Sequence, residues 1–384
     1  MWPLMHDAIT RDDRHILCEF INSTDRYTQG EKVKEFEKQW SEWLGSKYSL
    51  MVTSGSTANL LLLAAVKELF NVPNGSKVLV PACTWVTNVS PVIQLGLEPV
   101  FCDINLNNFS FDTDSLPDED IKIIFITYLL GFDSPHEKLK EKYPNALIIE
   151  DICESHGVTD ANGVKRGSDS LGGTFSFYYG HHMTTVEGGM ISTNNKQLYD
   201  LMKLKRSHGM ARNLDPEEYT SVITKYPNID PQFLFLTDGY NFRSTELNAV
   251  LGIQQLKRLD RNIEIRKKNY KMFLDILKKF EEHFYIPSDS ETNSSFSFPL
   301  VCRDARMLRN LKFHFKDRIE YRPIVAGNLL VHPFLDKWKD VRVPNATILN
   351  NNGVYIGNNQ NVTEKMLKTL EDILLNAIGT GVSG

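Results

Sequence analysis

The chain has 384 residues, of which 41% are hydrophobic and 24% are charged, and its formal net charge at pH 7 is −5. This length allows two domains with a large buried core, and the small negative charge argues against a nucleic-acid partner. The sequence has no apolar run of about 18 residues, the length of a membrane span. Residues 1–7 also lack the basic and apolar blocks of a signal peptide. We therefore expect a cytoplasmic protein with no membrane partner.

The cysteines are widely spaced, and none forms a C-x-x-C pair. They are Cys18, Cys83, Cys102, Cys153 and Cys302. This spacing argues against a zinc knuckle and against an iron–sulfur cluster held by a local run of cysteines. We expect reduced, mostly buried thiols, with no metal and no iron–sulfur cluster.

Short apolar runs alternate with helical patterns over the first two-thirds of the chain. Candidate strands cover residues 48–53, 77–80, 99–103, 121–128, 146–151, 173–178 and 190–193. Helical patterns between them cover residues 33–44, 57–70, 86–95, 136–142 and 196–206. Strands separated by helices of this length indicate βαβ units, and so an α/β fold with a mostly parallel sheet.

Residues 243–284 are predicted to form one or two long helices, and this helical stretch separates the first region from a second one. Beyond it, residues 296–301, 319–323 and 353–356 are predicted strands, and residues 305–315 and 364–377 are predicted helices. We place a domain change inside the helical stretch. This predicts a large domain over residues 1–255 and a smaller C-terminal α+β domain over residues 256–384, with a disordered tail at 379–384.

The turn over residues 53–59, T-S-G-S-T-A-N, lies between a predicted strand and an apolar helix. Free amides at a helix N-terminus, together with small hydroxyl side chains, are typical of an anion site. Ordinary helix capping explains the same residues equally well, so the turn alone leaves both interpretations open.

The apolar strand over residues 146–151 ends in acidic residues, with Glu150 and Asp151 followed by Glu154. Open α/β sheets bind ligands at the carboxyl edge of their strands, and a carboxylate there can hold a pyridine nitrogen protonated. Trp85 follows another predicted strand and offers a flat indole for stacking on an aromatic cofactor. Taken alone, an acidic strand end more often caps a turn, and a tryptophan more often packs in a core or an interface.

Two adjacent histidines, His181 and His182, follow the segment 173–178. An imidazole can move protons near neutral pH, although an isolated pair is more often structural. Arginines recur downstream in H-G-M-A-R-N at 208–213, G-Y-N-F-R at 239–243 and E-Y-R-P at 320–323. Arginine suits carboxylate or phosphate recognition, but most arginines are solvated surface charges.

The order of these motifs carries more information than any one of them. From Ser54 to Gly357 the chain resembles the DegT/DnrJ/EryC1/StrS family of sugar-modifying enzymes, which use pyridoxal phosphate (PLP) and share the aspartate aminotransferase fold (fold type I). The motifs that follow in family order are S-G-S-T-A-N, V-P-A-x-x-W, E-D-x-C-E-S, F-S-F, H-H, E-G-G, H-G-x-x-R-N, G-Y-N-x-R, R-P-I-V-x-G-N and G-N-x-Q. The match extends over nearly the whole chain and is strongest to the branch of GDP-4-keto-6-deoxymannose 3-dehydratases.

The resemblance implies a set of residues that bind the cofactor. Gly55, Ser56 and Ser176 would hold its phosphate, Trp85 would stack on its ring, and Asp151 would pair with the ring nitrogen.

Glu154 would also lie at the cofactor, at a position where family aminotransferases usually carry Gln or His. This departure matches the dehydratase branch. Asn241 resembles an asparagine that reaches the phosphate from a neighbouring subunit, which implies a homodimer with shared active sites. The positions that resemble contacts to the substrate or the amino donor are Arg26, Tyr27, Thr28, His208, Arg212, Arg243 and Glu320.

His181 stands where the family carries its cofactor lysine. That lysine commonly lies five residues after the serine of F-S-F and six before the acid of E-G-G, and counts from Ser176 and Glu187 both reach His181. A lysine can form a Schiff base with an aldehyde, whereas an imidazole cannot. His182 remains the alternative catalytic group.

Without the lysine, the resemblance implies pyridoxamine phosphate (PMP) as the working cofactor. PMP would condense with the C4 ketone of a nucleotide-linked 4-keto-6-deoxy sugar. His181 would then remove a proton from the cofactor's C4′ carbon and assist loss of the C3 hydroxyl, and such general base catalysis typically gains about 10²–10⁴-fold. L-Glutamate would restore PMP, and the 3,6-dideoxy sugar would serve a surface polysaccharide such as the O-antigen of lipopolysaccharide.

Two other functions stay open from the sequence. A sugar aminotransferase would need a cofactor lysine, and the nearest candidate, Lys165, is off-register. A non-catalytic nucleotide-sugar-binding protein with this fold is the second alternative. A related branch of CDP-sugar 3-dehydratases also carries the histidine but adds a local cysteine cluster that binds iron and sulfur, which this chain lacks. The residues do not decide between GDP, CDP and dTDP, or between a hexose and a heptose.

Overall fold

The structure, a computed structural model, describes residues 1–6 and 8–379. Most of the predicted disordered tail, residues 380–384, therefore lies outside the described residues. The described chain contains a seven-stranded sheet and a separate four-stranded sheet. None of the helices in this part of the chain is long and apolar enough to cross a membrane.

The larger sheet has the strand order β1-β7-β6-β5-β4-β2-β3. Its strands are β1 Tyr48–Val52, β2 Lys77–Pro81, β3 Glu98–Cys102, β4 Ile121–Thr127, β5 Leu147–Asp151, β6 Gly172–Ser176 and β7 Gly189–Thr193. Neighbours from β3 through β6 are parallel. β7 is antiparallel to both of its neighbours, β6 and β1, so it alone is reversed and β1 runs in the same direction as the other strands. The predicted mostly parallel sheet is confirmed. Its strands are almost wholly buried, as expected for a sheet covered on both faces.

Eight helices of the described chain accompany this sheet. They are α1 Arg11–Ser23, α2 Glu31–Leu44, α3 Gly55–Leu69, α4 Ser90–Gln94, α5 His136–Lys142, α6 Lys196–Arg206, α7 Pro216–Ile223 and α8 Glu246–Leu256. The predicted helix over 86–95 is instead a short 3₁₀ turn, Val86–Asn88, followed by α4. Pro91 lies in the first turn of α4, where its missing amide leaves no intrahelical bond unmade.

The smaller sheet is antiparallel, with the order β10-β11-β9-β8. Its strands are β8 Phe284–Tyr285, β9 Ser297–Cys302, β10 Tyr321–Pro323 and β11 Gly353–Gly357. It is accompanied by α9 Leu259–Leu277, α10 Ala305–Phe315, α11 Pro344–Asn352 and α12 Glu364–Gly379. The domain boundary that we place after residue 255 falls one residue before the end of α8. The division into domains 1–255 and 256–384 stays a prediction.

Candidate active site

A cavity of about 440 Å³ lies at the edge of the larger sheet where β2, β4, β5 and β6 end. Its opposite wall comes from segments around the smaller sheet, including Phe296, Arg322 and Tyr355. Carboxyl ends of parallel strands are the usual place for a ligand in such sheets. The cavity brings together these predicted site residues: Gly55, Ser56, Trp85, Asp151, Glu154, Ser176 and His181.

The first turn of α3 and the end of β6 form a small concave anion site in this cavity. Ser54 caps α3, because its hydroxyl accepts from the amide of Thr57 at 3.1 Å. The amides of Gly55 and Ser56 belong to the first turn and so have no acceptor within the helix. A Cβ added to Gly55 would lie 2.6 Å from the Cβ of Ser176, so glycine is what allows this approach. Amides, hydroxyls and a helix N-terminus suit a phosphate.

Asp151, the last residue of β5, is held in one orientation. Its Oδ2 accepts from Asn59 Nδ2 at 2.8 Å, and its Oδ1 accepts from the amide of Cys153 at 2.9 Å. Asn59 is fixed in turn by Thr174, whose hydroxyl donates to Asn59 Oδ1 at 2.6 Å. Asp151 is only 4% exposed. This arrangement presents a fixed carboxylate to whatever lies in the cavity.

Glu154 and Trp85 complete the wall on this side. Burial, together with the negative charge of Asp151, raises the pKa of Glu154 to about 7. Its Oε2 accepts from the amide of Leu130 at 3.0 Å, which fixes the carboxyl group. Trp85 follows β2 and is 52% exposed, so its indole borders the cavity and is free to stack on a flat ring.

His181 lies on the loop that follows β6 and lines the cavity. Burial, reinforced by the positive charge of Arg266, lowers the pKa of His181 to about 3. The imidazole is therefore neutral at pH 7 and able to accept a proton. Its amide donates to the carbonyl of Tyr178 at 3.0 Å, which closes a tight turn.

His182 points elsewhere. It is 1% exposed, its Nε2 lies 3.4 Å from the carbonyl oxygen of Ser294, and it does not line the large cavity. It borders a second, small cavity of about 30 Å³, shared with His181 and Arg266. Of the two adjacent histidines, His181 is the one that faces the ligand site.

No lysine lines the large cavity among the residues that the structure describes. Lys165, the nearest candidate in the sequence, makes its contacts elsewhere. Its Nζ donates to the carbonyl of Trp43 at 2.8 Å and lies 4.8 Å from the centre of the Trp43 ring.

A second group of predicted residues does not line the cavity. We call it the outer patch, and it consists of Arg26, Tyr27, Thr28, His208, Arg212, Asn241 and Arg243. Two backbone bridges join its parts, from Thr28 to Thr245 and from Ser207 to Asn241. Arg243 Nε also donates to Asn241 Oδ1 at 3.0 Å.

Glu246, the first residue of α8, holds the part of the outer patch at residues 26–28. This carboxylate is 4% exposed and accepts from the amides of Gly30, Lys32 and Val33 at 2.8, 2.9 and 3.0 Å. It thereby caps α2 from outside the helix and fixes the loop that carries residues 26–28.

Glu320 lies outside the cavity as well. Its Oε2 accepts from the amide of Leu4 at 2.8 Å, so in this structure the carboxylate binds the polypeptide rather than facing the ligand site. Its neighbour Arg322 lines the cavity instead.

Sequence reasoning missed several residues of the site. Arg322 was available from the same E-Y-R-P motif that supplied Glu320. Asn59, which orients Asp151, belongs to the S-G-S-T-A-N motif. Met5 lines the cavity too, and no local pattern in the sequence points to it. The free thiols of Cys83, Cys102 and Cys302 are buried, and the absence of an iron–sulfur cluster stays a prediction.

Comparison with known proteins places these features in context. Residues 9–373 match the DegT/DnrJ/EryC1/StrS aminotransferase family. The GDP-4-keto-6-deoxy-D-mannose 3-dehydratase of Yersinia pseudotuberculosis is 36% identical in an alignment that covers 97% of this chain and 98% of that protein.

Two solved structures are similar over nearly their whole length. The E. coli GDP-4-keto-6-deoxy-D-mannose-3-dehydratase with bound hydrated PLP has a TM-score of 0.88 at 32% identity, covering 97% of this chain and 99% of that one. A GDP-4-keto-6-deoxymannose-3-dehydratase with a trapped PLP–glutamate geminal diamine has a TM-score of 0.86 at 31% identity, covering 97% and 100%. The predicted aspartate aminotransferase fold is confirmed.

Proposed function

This chain belongs to the DegT/DnrJ/EryC1/StrS aminotransferase family, and on that premise we propose that it is a PLP-dependent 3-dehydratase. Its substrate is a nucleotide-linked 4-keto-6-deoxy sugar, and the relatives at 31–36% identity favour GDP-4-keto-6-deoxymannose. The product belongs to the biosynthesis of 3,6-dideoxy sugars.

One observation carries the proposal. The cavity presents the imidazole of His181, and among the described residues no lysine lines it. Because an imidazole cannot form a Schiff base, the site is unsuited to a lysine-dependent transamination cycle, while a neutral buried imidazole suits proton transfer.

The residues present fit a pyridine cofactor that carries a phosphate. The concave site at Gly55, Ser56 and Ser176 has the donors for the phosphate, and a Cβ at position 55 would fill it. Asp151 would hold the ring nitrogen protonated, and Trp85 would stack on the ring. When bound as PMP, the cofactor supplies an amine for the C4 ketone and an electron sink beside it.

His181 would move the protons. Its neutral imidazole accepts a proton, and the imidazolium then donates to the oxygen that leaves C3. A buried imidazole with a pKa of about 3 forms a strongly acidic imidazolium, which favours delivery of that proton to the departing hydroxyl. Glu154, with its pKa near 7, exists in both protonation states near neutral pH and can donate or accept a hydrogen bond at the cofactor.

L-Glutamate is the proposed electron donor. Replacement of the C3 hydroxyl by hydrogen requires two electrons, which glutamate supplies as it becomes 2-oxoglutarate and releases ammonia. A relative holding a PLP–glutamate adduct supports this choice.

The working form proposed is a homodimer with shared active sites. The outer patch holds His208, Arg212, Asn241 and Arg243 away from the cavity of its own chain. These residues can complete a site only if they face the cavity of a second copy.

The test is to incubate the protein with PLP, L-glutamate and a panel of GDP-, CDP- and dTDP-linked 4-keto-6-deoxy sugars. We expect the GDP sugar to lose one oxygen atom by mass, with one 2-oxoglutarate and one ammonia formed per sugar. A 4-amino sugar would instead establish an aminotransferase. A protein with no spectral response to glutamate and no turnover of any sugar would be a non-catalytic binding protein.

A further inference from the structure

Residues 1–6, which we call the leading segment, are bound to the smaller sheet. Trp2 and Ile319 form a parallel bridge, in which the Trp2 amide donates to the carbonyl of Arg318 at 2.7 Å and the Glu320 amide donates to the carbonyl of Trp2 at 2.9 Å. The indole Nε1 of Trp2 donates to the carbonyl of Gly357 at 3.0 Å, and Trp2 is only 5% exposed. The segment is therefore anchored at its second residue.

The next residues direct the segment toward the large cavity. The amide of Leu4 donates to Glu320 Oε2 at 2.8 Å, and Leu4 is 9% exposed. A Cβ on Gly357 would lie 2.3 Å from the carbonyl oxygen of Leu4, so the two backbones are in close contact. These contacts leave little freedom for the residue that follows, Met5.

Met5 meets the catalytic loop at Gly180, the residue just before His181. A Cβ on Gly180 would lie 2.1 Å from the sulfur of Met5, so the thioether occupies the space of a side chain at position 180. Met5 also lines both the large cavity and the small cavity that His181, His182 and Arg266 share.

The imidazole of His181 packs near the ring of Phe296, at 5.6 Å between centroids, but the residues just before it are partly exposed. Tyr178 and Tyr179 are 44% and 37% exposed, and the bond from the His181 amide to Tyr178 lies within the turn itself. Packing of Met5 on Gly180 is thus a contact that ties the loop to the anchored segment 1–4.

We propose that Met5 is a positioning residue for His181, held in place by Trp2 and by the carboxylate of Glu320. Its thioether fills the gap at Gly180, keeps the loop against the cavity wall and closes the small cavity behind the imidazole. The role of Met5 in turnover rests on the proposed function, because it acts through the proton transfers assigned to His181.

The experiment compares variants of the full chain with its cofactor: Met5→Ala, Met5→Leu, Gly180→Ala and the double variant Met5→Ala, Gly180→Ala. We expect kcat to fall about 10–100-fold in Met5→Ala, because small displacements of a reacting group cost rate on this scale, with KM and PLP affinity little changed. Met5→Leu conserves volume and should restore most of kcat. Met366→Ala removes a half-buried methionine of α12 and serves as the control, with kcat unchanged.

Gly180→Ala forces the thioether of Met5 away and should also lower kcat. In the double variant the new methyl group occupies the space that Met5 has left, so kcat should exceed the value expected if the two losses simply multiplied. Losses that multiply in the double variant, or wild-type kcat in Met5→Ala, would overturn the proposal.

A second measurement is independent of turnover. Diethyl pyrocarbonate modifies neutral imidazoles, and peptide mass mapping reports each histidine separately. We expect His182, which is 1% exposed, to react several-fold faster in Met5→Ala than in the wild type or Met5→Leu, because the small cavity opens. Equal rates would overturn the closing role of Met5. If the wild type dehydrates no sugar, the proposed function fails, while this measurement still decides the placement of Met5.

Discussion

The cavity and the outer patch are built in different ways. Cavity residues such as Asp151 and Ser176 end parallel strands and are nearly buried, and hydrogen bonds fix their side chains. Outer-patch residues such as Arg26 and Asn241 lie on connecting segments and are exposed. One region is an enclosed cavity formed within a single chain, and the other is a set of exposed polar groups on connecting segments.

The two regions also differ in the elements that carry their residues. Residues proposed to bind the cofactor lie at the rigid sheet edge, where strand ends converge. Residues proposed for the sugar nucleotide lie on loops, whose positions depend on caps such as Glu246. We therefore expect substitutions in the cavity to abolish chemistry and substitutions in the outer patch to affect binding or assembly.

The largest effect is expected for His181→Asn. Dehydration should fall by about 10²–10⁴-fold, because the base is lost, while PLP still binds through Gly55, Ser176 and Asp151. The measurements are kcat with the GDP sugar and the absorbance of bound cofactor. His182→Asn is the matched control, and if it removed turnover while His181→Asn retained it, the cavity would be assigned to the wrong histidine.

Mixed dimers test whether the outer patch serves a second chain. The activity of Asn241→Ala alone should fall by roughly tenfold or more, because the proposed hydrogen bond to a charged phosphate is lost. Mixing it with His181→Asn at equal amounts and refolding should restore about one quarter of wild-type activity, since half of the dimers are mixed and each holds one intact site. A mixture no more active than the two separate variants would show that each chain completes its own site.

Glu246→Ala should remove the external cap of α2 without touching the cavity. Three hydrogen bonds from backbone amides to a buried carboxylate are lost. We therefore expect the free energy of unfolding to fall by about 2–4 kcal/mol. The readout is the Tm of the cofactor-free protein at fixed concentration. The control is Glu31→Ala, which removes an exposed carboxylate from the first turn of α2 and should shift Tm little. An equal shift in Tm for the two variants would show that Glu246 does not anchor the patch.

Glu154→Gln should have the smallest effect, and one that depends on pH. The pKa of Glu154 is raised from 4.5 to about 7, so the folded protein holds a proton that the unfolded chain has released. The contribution of Glu154 to the stability of the wild type therefore decreases as the pH rises from 4.5 to about 7, and it changes little at higher pH. The variant lacks this loss and should gain about 1–3 kcal/mol relative to wild type between pH 4.5 and 8. Parallel Tm profiles of the two proteins would contradict the raised pKa.

Local patterns in the sequence predicted much of the cavity wall that the strand ends form. Asp151 and Ser176 end strands and Gly55 begins a helix, and strand ends of a parallel sheet share one edge whatever the details of packing. The strand pattern alone placed Asp151 at this edge and Trp85 just after a strand, whereas the family resemblance supplied Ser176. The break between α8 and α9, at residues 257–258, was not resolved by the apolar pattern because both helices carry the same spacing.

The sequence by itself determined the mostly parallel sheet and its ligand edge, because strand periodicity and strand ends are local properties. Motif spacing, compared with the family that the chain resembles, placed His181 at the position of the cofactor lysine. Tertiary structure alone decided that His182 Nε2 lies beside the carbonyl oxygen of Ser294, that Glu320 binds Leu4 while Arg322 lines the site, and that Met5 packs on Gly180. These contacts join segments more than 100 residues apart, and such pairings depend on how the two sheets pack rather than on any pattern within one segment.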